Sequence, residues 1–285
     1  MQLNRMMKRA AVAAARQLPR ADPSQRRVVL CYHSVHPNRP YVSTTPELFE
    51  RHIAWLRDNC QITSLADIVA PQPGNSTRLT VAVTFDDGYE DNHSYALPIL
   101  MRYAVPATFF ITAGFVERDP DVLRRFHHFL SSRDDEVTPL DWAQVRELRS
   151  AGMAIGSHTY SHPNLARLSS VELDKELRVS KTVISTHLDE NVDLFAYPFG
   201  KPKVHFTAET VSAVRAAGYR VAAAVMYRGL RASDSLLRIP RLFADGDALD
   251  KLRAKVTGDY DLVSRWQEHA PVWLMRAVSP DDFSR

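Results

Sequence analysis

From Arg27 onward, apolar bursts alternate with amphipathic stretches along the chain. Val28 to Tyr32, Leu79 to Phe85, Ala107 to Thr112, Met153 to Gly156 and Asp193 to Tyr197 read as buried strands. Tyr219 to Met226 and Leu236 to Phe243 read as two more extended stretches. Between them, Pro46 to Asn59 has an apolar stripe at Leu48, Ile53 and Leu56, with Thr45 as N-cap and Pro46 in the first turn, which predicts a helix. Helices are also predicted over Asp91 to Tyr103 (kinked or delayed by Pro98), Asp121 to Leu130, Leu140 to Ala151, Val171 to Leu188 and Ala208 to Ala217. Gly152 and Gly218 close two of them in the manner of C-terminal glycines. A charged loop, Ser131 to Val137, follows the Asp121 to Leu130 helix, and Ala248 to Arg276 has helical patterning before a last apolar run, Val272 to Met275.

Strands alternating with helices imply βα units and a mostly parallel sheet. Roughly seven strands in one unbroken alternation predict a closed or nearly closed barrel, with an open doubly wound sheet as the alternative. No GxGxxG or GxxxxGK[ST] follows a strand, so dinucleotide and P-loop readings lack their fingerprint. No repeat or long linker divides the chain. The expected organisation is a basic arm over residues 1–26 and one α/β domain over residues 27–285.

Composition excludes several classes. With 45% hydrophobic and 24% charged residues, the chain is not disordered. Two cysteines cannot build a disulfide scaffold, and Cys31 and Cys60 read as small core residues. No apolar run reaches the ~18 residues of a membrane span. The net charge of +3 is unevenly spread: residues 1–27 hold seven basic residues against Asp22, which leaves a mildly acidic body. A nucleic-acid binder carries its basic stripe on the folded body, so no nucleic-acid partner is expected. At helical spacing Arg5, Arg9, Arg16 and Arg20 oppose Leu3, Met6, Met7, Ala10, Ala14 and Leu18. That pattern over residues 1–20 suits weak contact with a membrane surface, or else a solvated terminus. Ala10 to Ala15 is a poor signal peptide, so a cytoplasmic or membrane-peripheral location is expected ahead of secretion.

Chemistry-bearing residues collect just after the strands: Tyr32-His33, Asp86-Asp87-Gly88, His158-Thr159-Tyr160-Ser161-His162-Pro163 and Tyr197-Pro198-Phe199-Gly200. In a βα barrel those positions share the C-terminal face, where active sites form. Asp-Asp-Gly alone is ordinary turn chemistry. His158 and His162 lack the glutamate of HExxH, and Pro163 disfavours a helical His162, which predicts a loop presenting two imidazoles. Two His plus one carboxylate make a three-ligand site with open positions, suited to Zn²⁺, Fe²⁺, Co²⁺ or Ni²⁺.

TFDDGY, SHTYSHP and AYPFG, in this order, resemble the polysaccharide deacetylases of carbohydrate esterase family 4 over about Val28 to Phe243. The resemblance implies a distorted (β/α)₇ barrel. It implies Asp86 as catalytic base, and Asp87, His158 and His162 as ligands of one divalent metal, Zn²⁺ before Co²⁺ or Ni²⁺. It also implies a substrate-binding turn at Tyr197, Pro198 and Phe199, with the Phe199 N–H holding the oxyanion. Two departures stand out. Many members carry Arg where this chain has Ala196, and many carry a late Leu-x-His that Trp273-Leu274-Met275-Arg276 lacks. Arg238 or Arg241 is the candidate replacement for the Arg, with a structural salt bridge as the alternative and Arg241 placed among the substrate-binding residues. Tyr32-His33 matches a branch similar to poly-N-acetylglucosamine deacetylases, which makes His33 the expected general acid. The expected activity is removal of N-acetyl or other N-acyl groups from an N-acetylated glycan or glycolipid. O-deacetylation and an inactive glycan-binding barrel are the alternatives. His93 is expected at the rim, His205 on the surface, His127-His128 in solvent, and Asp141-Trp142 at a helix start.

Overall fold

A computed structural model describes residues 26–38, 42–70, 78–130, 138–261, 264, 268–271 and 273. Seven strands form the centre: β1 Arg27–Tyr32, β2 Thr80–Phe85, β3 Ala107–Ile111, β4 Ala154–Ser157, β5 Leu194–Ala196, β6 Val221–Val225 and β7 Ile239–Phe243. Each pairs in parallel with the next in sequence, and β1 pairs with both β2 and β7. The ring is therefore closed, which excludes the open sheet. A short strand, Gln61–Ile62, pairs in parallel with the first two residues of β2.

Alternation along the strands separates two apolar layers. Val28, Leu30 and Tyr32 of β1 and Val81, Val83 and Phe85 of β2 face outward, packing on Phe49, Ile53 and Leu56. Those three lie on α1 (Pro46–Asn59), whose N-cap Thr45 accepts the Leu48 N–H. The intervening residues Val29, Ala82, Phe110, Ala196, Ala223 and Ile239 form a second cluster inside the barrel, closed by Leu65 and Ile68 of the short helix Leu65–Val69. Gly156 of β4 is part of this packing: a Cβ there would lie 2.6 Å from the Phe110 ring. The inward positions nearer the strand C-termini, Cys31, Thr84 and Arg241, are polar and buried. The barrel is thus dry at one end and carries polar groups at the other.

The predicted helices form with shifted ends. Asp91 to Tyr103 divides into a π-helical turn, Asn92–Ala96, and α2 (Leu97–Arg102). Pro98 has no N–H to continue a regular ladder, so the break falls just before it. Next come α3 (Pro120–Leu130), α4 (Trp142–Ser150), α5 (Ser170–Leu188), α6 (Ala208–Ala216) and α7 (Leu249–Thr257). Helix α4 starts later than predicted because Asp141 caps it, in a capping box with Gln144. Arg26, counted with the arm, belongs to the folded body: its guanidinium holds both Asp261 carboxylate oxygens at 2.7 Å. The rest of the arm, the loop Ser131 to Val137, and all of Val272 to Met275 except an exposed Trp273 lie outside the described residues.

Candidate active site

Four loops at the C-terminal mouth carry the polar groups, and the backbones of three of them, after β2, β4 and β5, share an unusual feature. Among the described residues, eight non-glycine positions have positive φ; four of them are Asp87 (76°), Thr159 (69°), His162 (56°) and Phe199 (59°). Such conformations cost of order 1–3 kcal/mol each and persist where surroundings over-determine them. Gly200 completes the fourth loop at φ +66°, and a Cβ there would lie 2.5 Å from Val225. Its carbonyl accepts the Val225 N–H at 2.7 Å, which anchors the Pro198–Gly200 turn on β6.

Asp87, His158 and His162 converge. Asp87 Oδ1 lies 3.5 Å from His158 Nε2 and 3.4 Å from His162 Nε2. That oxygen is buried and has no hydrogen-bond partner. His158 Nδ1 is 2.8 Å from the Ala196 carbonyl. A carbonyl only accepts, so Nδ1 carries the hydrogen and Nε2 presents a lone pair toward Asp87. Burial lowers His158 to about 4 and His162 to about 3, against the pull of Asp86. The His158 lone pair and the orphaned Asp87 oxygen repel one another unless a cation lies between them, and His162 Nε2 faces the same point. The donor set fits a divalent ion with open positions, and the Ala196 bond is the outer-shell contact that orients such a ligand.

Asp86 is next to this trio, its Oδ2 4.0 Å from His158 Nε2. Arg241 donates to both carboxylate oxygens at 2.6 and 2.8 Å and to Thr84 Oγ1 at 3.1 Å. Burial alone would raise the Asp86 pKa, but the Arg241 guanidinium holds the carboxyl well below its usual range. Just past β1, His33 Nδ1 is 2.7 Å from Asp245 Oδ2, and the His33 N–H donates to Asp245 Oδ1 at 2.8 Å. Burial opposes protonation of His33, but the Asp245 carboxylate prevails and raises it to about 9. The mouth therefore brings together a three-ligand cluster, an ionised carboxylate and an imidazolium.

The sequence profile of the family described as "Polysaccharide deacetylase" matches residues 74–222, more than half of the chain. The chain belongs to the polysaccharide deacetylase family. YxkH of Bacillus subtilis is 28% identical over 196 residues, covering 68% of this chain and 62% of that protein. A 30.6 kDa protein of Geobacillus stearothermophilus is 26% identical over 52% of this chain, which spans only 46% of it. The chain thus spans less than two thirds of the first of its curated relatives. A poly-beta-1,6-N-acetyl-D-glucosamine N-deacetylase of Staphylococcus aureus is 22% identical over 77% of this chain and 73% of that protein. Among solved structures, the Streptococcus pyogenes deacetylase PplD superposes with a TM-score of 0.67 at 22% identity, covering 81% of this chain and 98% of that one. IcaB from Ammonifex degensii gives 0.65 at 22%, over 82% and 98%. At these identities the two structures speak for the fold.

Within this polysaccharide deacetylase fold, several expected residues occupy different settings. Arg241 is 0% exposed and engaged with Asp86, so it is out of reach of a substrate; Arg238 is exposed. The Tyr197 side chain is likewise buried and turned away from the mouth. Alternation turns its neighbour Ala196 inward and sends the Tyr197 ring outward, where it stacks on Phe206 at 3.9 Å and donates to the Leu237 carbonyl at 2.9 Å. Pro198 is buried, while Phe199 is half-buried with its ring 4.7 Å from that of His162. His205 is 2% exposed instead of on the surface, because its ring packs on Phe199 and its Nδ1 accepts the Lys201 N–H at 3.2 Å. His93 pairs with Glu147 of α4 at 2.7 Å and so turns toward that helix. His127 is exposed, and Trp142 stacks on His187. Cys31 is more than core filling: its thiol, pushed up by burial, lies 3.3 Å from Asp86 Oδ2. Asp245 escaped the sequence reading, although its place two residues beyond β7 obeys the same strand-end rule that marked the other groups.

Proposed function

We propose that this chain is a metal-dependent hydrolase that removes N-acetyl groups from a carbohydrate. The observation that carries the reading is the orphaned Asp87 oxygen facing two neutral imidazoles, beside an Asp86 kept ionised by Arg241. A divalent cation bound there supplies Lewis acidity, polarising an acyl oxygen and making water a stronger acid. Asp87, His158 and His162 would hold it, and two imidazoles with one carboxylate suit Zn²⁺ first, then Co²⁺ or Ni²⁺.

Asp86 is the proton acceptor for the attacking water. Its pairing with Arg241 favours the ionised state in which a base must begin. The Phe199 N–H, on the turn beside His162, is the donor to the developing oxyanion, a contact type worth about 3–4 kcal/mol. His33, charged up to about pH 9 through Asp245, gives a proton to the departing amine. General acid–base help of this kind contributes about 10²–10⁴ in rate. The Staphylococcus relative is named for an N-acetylglucosamine polymer, which supports an N-acetylglucosamine-containing glycan as the substrate class here.

The test is acetate release from N-acetylglucosamine oligomers. Activity should disappear on chelation and return with Zn²⁺. Stoichiometric bound metal with no release from any N-acetylated glycan would sink the catalytic reading and leave a glycan-binding barrel.

A further inference from the structure

The loop that carries both imidazoles has no regular secondary structure, yet it holds two left-handed residues, Thr159 and His162. Its backbone donors are all accounted for. The Thr159 N–H goes to Ser157 Oγ at 3.3 Å, and the His162 N–H to Thr159 Oγ1 at 3.0 Å. Both N–H groups between them, of Tyr160 and Ser161, go to one oxygen, Glu176 Oε2, each at 2.9 Å. The Ser161 hydroxyl donates to Glu176 Oε1 at 2.5 Å and accepts from Arg125 at 2.9 Å. On the other side of the loop, the Thr159 and Tyr160 carbonyls accept the Ala113 and Gly114 N–H groups. Glu176 lies on α5, next to the buried stripe Leu173, Leu177, Ser180 and Ile184. The same helix reaches the start of the loop through Ser180, whose hydroxyl is 2.7 Å from Ser157 Oγ.

We propose that Glu176 is a positioning residue of the metal site: it clamps the His158–His162 loop in the strained conformation that aims His162 at Asp87. The inference rests on the metal-site reading and adds a residue from outside the strand-end motifs. A carboxylate is the acceptor that suits this task. One oxygen takes two backbone donors and the other takes a hydroxyl, and bonds to a charged acceptor are stronger than neutral ones. Without it, two donors lose their partner and the loop is free to relax out of its two left-handed residues. His162 would then leave the position where its Nε2 faces Asp87, while the α5 stripe stays packed.

The experiment measures Zn²⁺ affinity by competition with a chromophoric chelator, and the Co²⁺ visible spectrum, in Glu176→Ala and Glu176→Gln. Lys175→Ala, on the exposed side of the same helix, is the control. Loss of a partner that orients metal ligands costs about 10–100-fold in metal affinity. Glu176→Ala should weaken Zn²⁺ by that factor and alter the Co²⁺ bands, with the far-ultraviolet circular dichroism of the metal-free protein unchanged. Glu176→Gln keeps an oxygen for the two N–H groups and should fall between Ala and wild type. Lys175→Ala should bind as wild type does. A folded Glu176→Ala with wild-type affinity overturns the proposal, as does an equal loss in Lys175→Ala. If Glu176→Ala does not fold, a Glu176→Gln with unchanged affinity and spectrum overturns it. No metal bound by the wild type would instead sink the metal-site reading.

Discussion

Removing the guanidinium that holds Asp86 is the most informative single perturbation. In Arg241→Met a methylene stem remains and the charge goes. Both partners are almost fully buried and joined by two hydrogen bonds, at 2.6 and 2.8 Å. Breaking such a pair from one side costs about 3–5 kcal/mol, because the partner is left as an uncompensated buried charge. That is a large part of the roughly 5–15 kcal/mol stabilising an ordinary domain. The loss should depend on pH. In the wild type, Arg241 outweighs burial and depresses the Asp86 pKa. The pair's contribution is therefore present above the unfolded value of about 3.9 and lost as pH falls through the folded value. In Arg241→Met burial prevails, and Asp86 takes a proton at a pH where the wild type has none. The stability gap between the two proteins should thus widen from pH 5 to pH 8. Urea unfolding of chelator-treated protein at both pH values measures it, and the acid limb of the rate profile should move to higher pH. Arg241→Met combined with Asp86→Asn should recover part of the lost stability, since the buried charge is gone. A gap below about 1 kcal/mol, equal at both pH values, would refute the argument.

Three further outcomes are expected. His158→Ala and His162→Ala should lose bound metal and activity together, whereas Asp86→Asn should lose activity but keep metal, as read by elemental analysis of purified protein. His33→Ala should lower turnover by about 10²–10⁴ with metal retained, and less for an activated aryl ester whose leaving group needs no proton; because Asp245 raises His33 to about 9, activity should fall as pH rises through that value, and Asp245→Asn should move this limb downward. Gly200→Ala places a Cβ 2.5 Å from Val225 at φ +66°, so it should destabilise by more than the roughly 1–2 kcal/mol of left-handed strain alone; a urea midpoint equal to wild type would contradict the tight anchoring of that turn.

Much of this protein is legible in its sequence. The alternation of apolar runs with amphipathic helices pointed to a mostly parallel sheet of about seven strands, and the pairing of β1 with both β2 and β7 decided for the closed barrel over the open sheet. Strand ends marked by Asp86-Asp87, His158 and His162, and His33 pointed to one face, since every parallel strand ends there. Local chemistry marked Thr45 as a cap and Asp141-Trp142 as a helix start, because a helix N-terminus depends on neighbours within a few residues. What the tertiary structure decided is which distant groups meet. Arg241 rather than Arg238 reaches Asp86, because the inward phase of β7 falls on Arg241 and leaves Arg238 exposed. Tyr197 turns away from the mouth for the same reason of phase, one residue after the inward Ala196. Asp245 on His33, Cys31 on Asp86 and Glu176 on the histidine loop are separated by 212, 55 and 15 or 16 positions. No local pattern encodes such pairs: they exist only because closing the ring sets β7 and β2 on either side of β1, and because α5 packs back against β4.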